Sequence, residues 1–311
     1  MKIQLIWLLL YVSLVSCKKT NTIATNNTEL KKTYIKLCVE NNKITQDWRN
    51  VLARRQSKTY LDSLEQVVKP LNYHEKDWLN LIKSKANQWN QMKDSLKVPF
   101  GEIYISDTTY IYLGYQGNDD GFTYQYQTVC LDLTALQRAY GSAKDSVNDN
   151  RIDRIFAHEY THVLHKEWVR QHELELITYQ DSILWECLYE GIGMYRSMSS
   201  KWLPVNDTLS KTASETFKKL YPIFVDRLIE IESSSTLTDQ DKKRLHKNLS
   251  RGSMKQKWGA LPIGVWLALE SKGDDKNLIP WIKKGPDAVV PLAHKYLTGE
   301  HKIKFEATFK N

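Results

Sequence analysis

The stretch FAHEYTHVLHKEW, Phe156 to Trp168, places three histidines and two glutamates within thirteen residues, and its reading decides how the rest of the chain is read. His158 and His162 are four apart, so on a helix they lie about 40° apart in projection and one turn apart along the axis. Two imidazoles so placed can reach one tetrahedral zinc ion with bonds of about 2 Å. Glu159 then projects beside the ion, where it can hold a water and take its proton instead of ligating. The competing reading is a polar patch on an ordinary helix. The preceding DNRIDRI, residues 149–155, predicts a cap at Asp149 or Asn150, with Ile152, Ile155 and Phe156 as apolar support. His165 shares the face, but a helix carries it about 10 Å beyond His158, too far to close on the same ion. It reads as a rim or packing residue.

A third ligand has to come from elsewhere, and SILWECLYEGIGMYRS, residues 182–197, offers Glu186 and Glu190. Ile183, Cys187, Glu190 and Met194 fall on one helical stripe, so Glu190 would be a carboxylate on an apolar face. A charge there needs a partner, and zinc would supply one. Glu190 is therefore favoured over Glu186, which reads as a solvated carboxylate or one that supports a ligand. Gly191 and Gly193 remove side chains and would let this helix approach the histidine helix. Tyr189, Tyr195, Arg196 and His246 are candidates for stabilising negative charge on a reacting carbonyl oxygen.

Around these segments the texture changes twice. From Tyr34 to Leu96 the pattern reads as helical, with Trp78, Leu79, Ile82, Trp89 and Met92 mostly three or four apart and a break at Pro70 and Asn72. Residues 101–133 are rich in Ile, Tyr, Val and Thr and are cut by Gly114, Gly117 and Gly121, which predicts three or four strands. Asn118 to Gly121 reads as a turn, because a calcium loop would need further carboxylates. Helices follow over about 149–170, 182–199, 209–233, 239–248 and 262–269, and HKIKFEATFK, residues 301–310, alternates like a terminal strand. This order of helices, strands and helices predicts an α+β fold, with one domain over 34–311.

The amino terminus, MKIQLIWLLLYVSLVSCKKT, has the anatomy of an export signal: a lysine, then an apolar run too short to span a bilayer. Its Leu-Val-Ser-Cys ending resembles a bacterial lipobox, which makes Cys17 the expected lipidation site and 1–17 the signal peptide. Residues 18–33 are polar and aperiodic and read as a flexible tether. The chain would then face the cell envelope, held to a membrane, most simply the outer one, by acyl chains. The 311 residues carry a net charge of +8, but lysines are interleaved with acids and no recognition module accompanies them, which argues against a nucleic-acid partner. Cys38, Cys130 and Cys187 remain once Cys17 is assigned; buried thiols are the simpler reading, with one disulfide possible.

HEYTHVLH followed by LYEGIGMY resembles the gluzincins, and more narrowly a bacterial group of predicted zinc-dependent proteases with H-E-Y-x-H and a later E-G-x-A. The metzincin pattern does not fit, since His165 and Trp168 stand where it requires glycine and histidine. The resemblance spans about residues 103–195. It implies a zincin-like core: a small, mostly antiparallel sheet, then the active-site helix and a largely helical C-terminal lobe. It also implies zinc on His158, His162 and Glu190, Glu159 as general base, and a peptide or protein substrate paired with a sheet edge, for which TVCLDL, residues 128–133, is the candidate. Gly193 stands where alanine is usual, which reads as a harmless exchange of small residues. Met194 replaces an aspartate that would support the ligands. The expectation is a membrane-anchored zinc metallopeptidase. Its rival is an envelope lipoprotein that keeps the fold as a binding or assembly module.

Overall fold

A computed structural model describes residues 32–41, 43–64, 69–125, 127–234 and 236–310. The expected signal segment with Cys17, and all but the last two residues of the expected tether, lie outside them. Strand β1 (Lys32–Leu37) opens the described chain, followed by the short hairpin β2 (Val39–Glu40) and β3 (Lys43–Ile44). This corrects two expectations, a tether reaching residue 33 and a helical start at Tyr34. KTYIKL alternates exposed and half-buried side chains, the period of a strand. Helices α1 (Gln46–Ala53), α2 (Lys58–Leu64), α3 (Tyr73–Ser84) and α4 (Ala86–Lys97) follow. Asn72 starts α3 through a reciprocal capping pair with Glu75.

Strands β4 (Thr108–Gly114), β5 (Gly121–Tyr124) and β6 (Thr128–Asp132) complete a four-stranded sheet of order β1-β4-β6-β5. β1, β4 and β6 are parallel, and only β5 is antiparallel to its neighbour. The sheet is thus mixed and mainly parallel, not mostly antiparallel. Parallel neighbours need a long crossover, which α1 to α4 provide between β1 and β4 and the segment containing β5 provides between β4 and β6. TVCLDL is not an edge either. Every residue of β6 is buried, as expected for a central strand covered on both faces, and the free edge beside the site is β5.

Helices fill the remainder: α5 (Leu133–Tyr140), α6 (Ser146–His172), α7 (Tyr179–Ser197), α8 (Lys211–Ser233), α9 (Asp239–His246), α10 (Ala260–Ser271), α11 (Ile279–Lys283), α12 (Val289–Tyr296) and α13 (Gly299–Thr308). The coarse class is α+β, a small mixed sheet within a mostly helical chain. One face of the sheet, through Ile111, Leu113, Val129 and Leu131, joins the main core with α6, α7, α8 and α10. The other face carries Phe122 and Cys130 against Trp48, Val51 and Leu52. α13 replaces the expected terminal strand. Phe305 and Phe309, four apart, stack with ring centres 4.5 Å apart, whereas Ile303, which alternation would bury with Phe305, is 73% exposed.

α6 starts three residues before the expected cap, with Asp145 at the N-cap position. Asp149 is used differently: it accepts an ion pair from the buried Lys85 at 2.8 Å. Lys85 also reaches Asp153 at 3.0 Å, and Asp153 accepts from the Trp89 indole N–H at 2.8 Å. Trp89 then lies flat on Phe156, with ring centres 4.3 Å apart. This network ties α6 to α4 ahead of the histidine pair, so the turns that carry His158 and His162 rest on a fixed backbone.

Candidate metal centre

His158 and His162 project from adjacent turns of α6 with their Nε2 atoms 3.0 Å apart and their rings nearly perpendicular. Glu190 reaches in from α7, its Oε2 3.8 Å from the first of these nitrogens and 3.7 Å from the second. A point equidistant from three atoms at these separations lies about 2 Å from each, the length of a zinc–imidazole or zinc–carboxylate bond. Among the described residues, this is the one group of His, Cys, Asp or Glu side chains that could hold a metal ion. Glu186, the other candidate, points elsewhere: it accepts from Ser250 Oγ at 2.7 Å and lies 2.5 Å from His246 Nε2.

The ionisation states suit a dication. Burial, and then the neighbouring His162, pushes the His158 imidazole down to about 3, so its lone pair is free at neutral pH. Burial works against ionisation of Glu190, yet the imidazoles and Lys257 hold its carboxyl below the usual range. Imidazole nitrogens with one carboxylate are a zinc donor set. Glu159 sits beside them, 8% exposed, and burial raises its carboxyl to about 7 against the pull of His162. A carboxyl poised there can accept a proton and return it.

Close packing of α6 and α7 puts the donors together, and glycine permits it. A methyl group on Gly193 would stand 2.9 Å from His158 Cε1 and 3.0 Å from His162 Cε1. The exchange for alanine that looked harmless in sequence would therefore press on both ligands. Gly191 has a different duty from the expected one. Its open side faces α10, where a Cβ would meet Ile263 at 2.6 Å. At the start of β5, a Cβ on Gly121 would come within 3.0 Å of Ile155 and 3.3 Å of Glu159, so glycine lets the edge strand pass directly over Glu159.

The imidazoles are oriented unequally. His158 Nδ1 lies 3.3 Å from Ser197 Oγ, while the buried His162 Nδ1 has no hydrogen-bond partner among the described residues. Instead the Tyr189 ring stacks on His162 at 4.2 Å and 14°. Stacking fixes that ring where a hydrogen bond more often would. Met194, at the position of the missing aspartate, contacts Lys257 Nζ through sulfur at 3.6 Å. His165 is fully buried between Phe100, Trp185 and Tyr189, so it packs and does not reach the ligand group.

The ligand group and Glu159 open into a cleft of about 890 Å³. Of the four side chains considered for charge stabilisation, only Tyr189 lines it. Tyr195 and Arg196 are both turned to Asp275, at 2.9 and 2.6 Å, and His246 is committed to Glu186. Sequence reading missed Lys257, Ser197 and Lys166 at the cleft wall. Ser197 and Lys166 sit on the motif helices but carry no signal of their own, and Lys257 is distant in sequence. Asp119 and Asp120 lie in a bend before β5, bound to Arg55 and Tyr140 respectively, and not in a regular turn. Cys38, Cys130 and Cys187 are buried free thiols.

The chain matches no protein-family model, no curated protein and no solved structure.

Proposed function

We propose that this chain is a zinc-dependent peptidase of zincin type, with zinc on His158, His162 and Glu190. The observation that carries the reading is the common point about 2 Å from three donor atoms, with a buried carboxylate beside it and an open cleft in front. When bound, zinc would acidify a water molecule and polarise the scissile carbonyl. Glu159 takes the proton from that water at its carboxylate and delivers it to the departing amine. Burial keeps that carboxyl basic enough for the first transfer. The free edge of β5 receives an extended peptide by main-chain hydrogen bonds, which brings its carbonyl over the ligand group. Tyr189 holds the His162 ring and borders the cleft, with its hydroxyl hydrogen-bonded to Thr123 of β5.

The export signal ending at Cys17 supports a chain attached to the cell envelope by lipid. No helix among the described residues is long and apolar enough to cross a membrane, so attachment would fall to that segment. The decisive experiment pairs elemental analysis with peptide cleavage. The parent should hold about one zinc per chain. Glu159→Gln should keep that zinc and lose cleavage by about 100-fold or more. Undiminished cleavage by this variant would refute the base. Zinc bound without cleavage of any peptide by the parent would favour the binding or assembly module.

A further inference from the structure

Lys166 lies four residues after His162 on α6, and its ammonium donates to Thr123 Oγ1 on β5. It is partly buried, and among the described residues no carboxylate lies within ion-pair distance of it. Of the nearby cations, Arg55 pairs with Asp119 and Arg170 with Glu167, while Arg54 lies over the Tyr124 ring. Lys166 borders both the metal-centre cleft and a second hollow of about 920 Å³ lined by Val51, Phe122, Tyr124, Val169 and Trp185, so it stands where the two meet. An ammonium withdrawn from water without a counter-charge is costly. Burial accordingly lowers the Lys166 pKa, with Glu159 and Glu190 opposing from a distance.

The polarity of the edge strand says which part of a peptide would meet this cation. β5 begins with Gly121 against Glu159 and continues to Thr123 against Lys166, so across the site it runs in the same direction as α6. Antiparallel pairing is the more stable kind. A peptide added antiparallel to β5 therefore runs from the Lys166 end to the Glu159 end, and residues preceding the scissile bond lie at Lys166. Four helical residues advance about 6 Å, and an extended peptide about 3.3 Å per residue, which places Lys166 one or two residues upstream of the cut.

We propose that Lys166 selects peptides with an acidic side chain one or two residues before the scissile bond, closing on that carboxylate beside Thr123. This rests on the peptidase reading for its register and on the geometry of the cleft for its chemistry. A terminal carboxylate, the other source of the same group, would require the parallel arrangement.

The test uses the full chain loaded with zinc. Short acetylated peptides differing only by Glu or Gln at one position, each with a free or amidated C-terminus, are titrated against Glu159→Gln by fluorescence anisotropy. The parent is given the same peptides and its products are mapped by mass spectrometry. The Glu peptides should bind about 10-fold tighter or better, as for a charge-assisted hydrogen bond in a partly dry site. Lys166→Met should erase the difference at unchanged zinc content, Lys166→Arg should keep most of it, and amidation should not matter. Products should place the Glu one or two residues before the cut. The proposal is overturned by equal binding of Glu and Gln peptides, by a preference that survives Lys166→Met, by one that follows the free C-terminus, or by Glu mapped after the cut. If the parent cleaves nothing, the peptidase reading falls, while the titrations still decide the role of Lys166.

Discussion

Gly193→Ala sets stability and metal binding against each other, which makes it a sharp test of the site. The added methyl would sit 2.9 to 3.1 Å from ring atoms of His158 and 3.0 Å from His162. Comfortable carbon contacts are about 3.5 to 4.0 Å, so roughly half an ångström must be recovered. α7 cannot back away, because its far side is pinned to α10: a Cβ on Gly264 would already stand 2.8 Å from the Gly191 carbonyl oxygen. The His158 imidazole can give, since a single 3.3 Å contact to Ser197 Oγ orients it, whereas stacking on Tyr189 holds His162. Relief therefore comes mainly from turning the His158 ring, and the shared point is lost, because zinc ligands tolerate only about 0.2 Å. Zinc affinity should fall about 10- to 100-fold, or about 1.4 to 2.7 kcal/mol. The metal-free fold loses little, because alanine is favoured over glycine inside a helix by about 1 kcal/mol. Competition against a chromophoric chelator measures the first quantity, and thermal unfolding in chelator the second. Parental zinc affinity in Gly193→Ala would refute the argument that this close approach positions the ligands, and unfolding of the variant would refute the claim that the His158 ring absorbs the strain.

Three further outcomes follow from other contacts. Glu190→Ala removes the proposed ligand on α7 and should lower zinc affinity by about 100-fold or more, with chelator competition as the measure. His165→Phe replaces a fully buried imidazole that has no hydrogen-bond partner among the described residues, and should stabilise the chain by about 1 kcal/mol in urea at pH 7. The same variant should be less acid-sensitive: burial holds the folded pKa of His165 well below its ordinary value, so its neutral form contributes stability above about pH 6.5 that is lost as pH falls. The parent's slope between pH 6 and pH 5 should exceed the variant's by up to about 1.4 kcal/mol per pH unit, and equal slopes would contradict the assignment. Asp153→Ala strips Lys85 of one of its two carboxylates and Trp89 of its acceptor, and should cost about 3 kcal/mol or more in urea unfolding.

The parts of the site that sequence revealed are those in which one element of regular structure sets the geometry. His158, Glu159 and His162 are neighbours on a single helix, so spacing alone places them. Glu190 was legible because a carboxylate interrupts an apolar stripe, although in the fold Cys187 and Met194 of that stripe pack at Gly259 and Gly264 while Glu190 reaches the histidines. The α+β class followed from blocks of texture in the same way. What escaped depends on contacts between distant segments. β1 is an edge strand with half its residues exposed, so KTYIKL lacks the buried run that marks β6, and nothing local tells it from a polar lead-in. The buried run of β6 was itself assigned to the wrong place, because continuous apolarity signals cover on both faces, which an edge does not have. At the C-terminus, HKIKFEATFK fits alternation by letter, yet only Phe305 and Phe309 find a core, and their separation is that of a helical turn. Gly193 shows the limit most clearly. Glycine and alanine are near equals by size, but at the point where α7 crosses α6 one methyl group would press on the imidazole rings of both His158 and His162. Such a requirement belongs to the crossing and not to either helix, so no pattern along one strand of sequence can carry it.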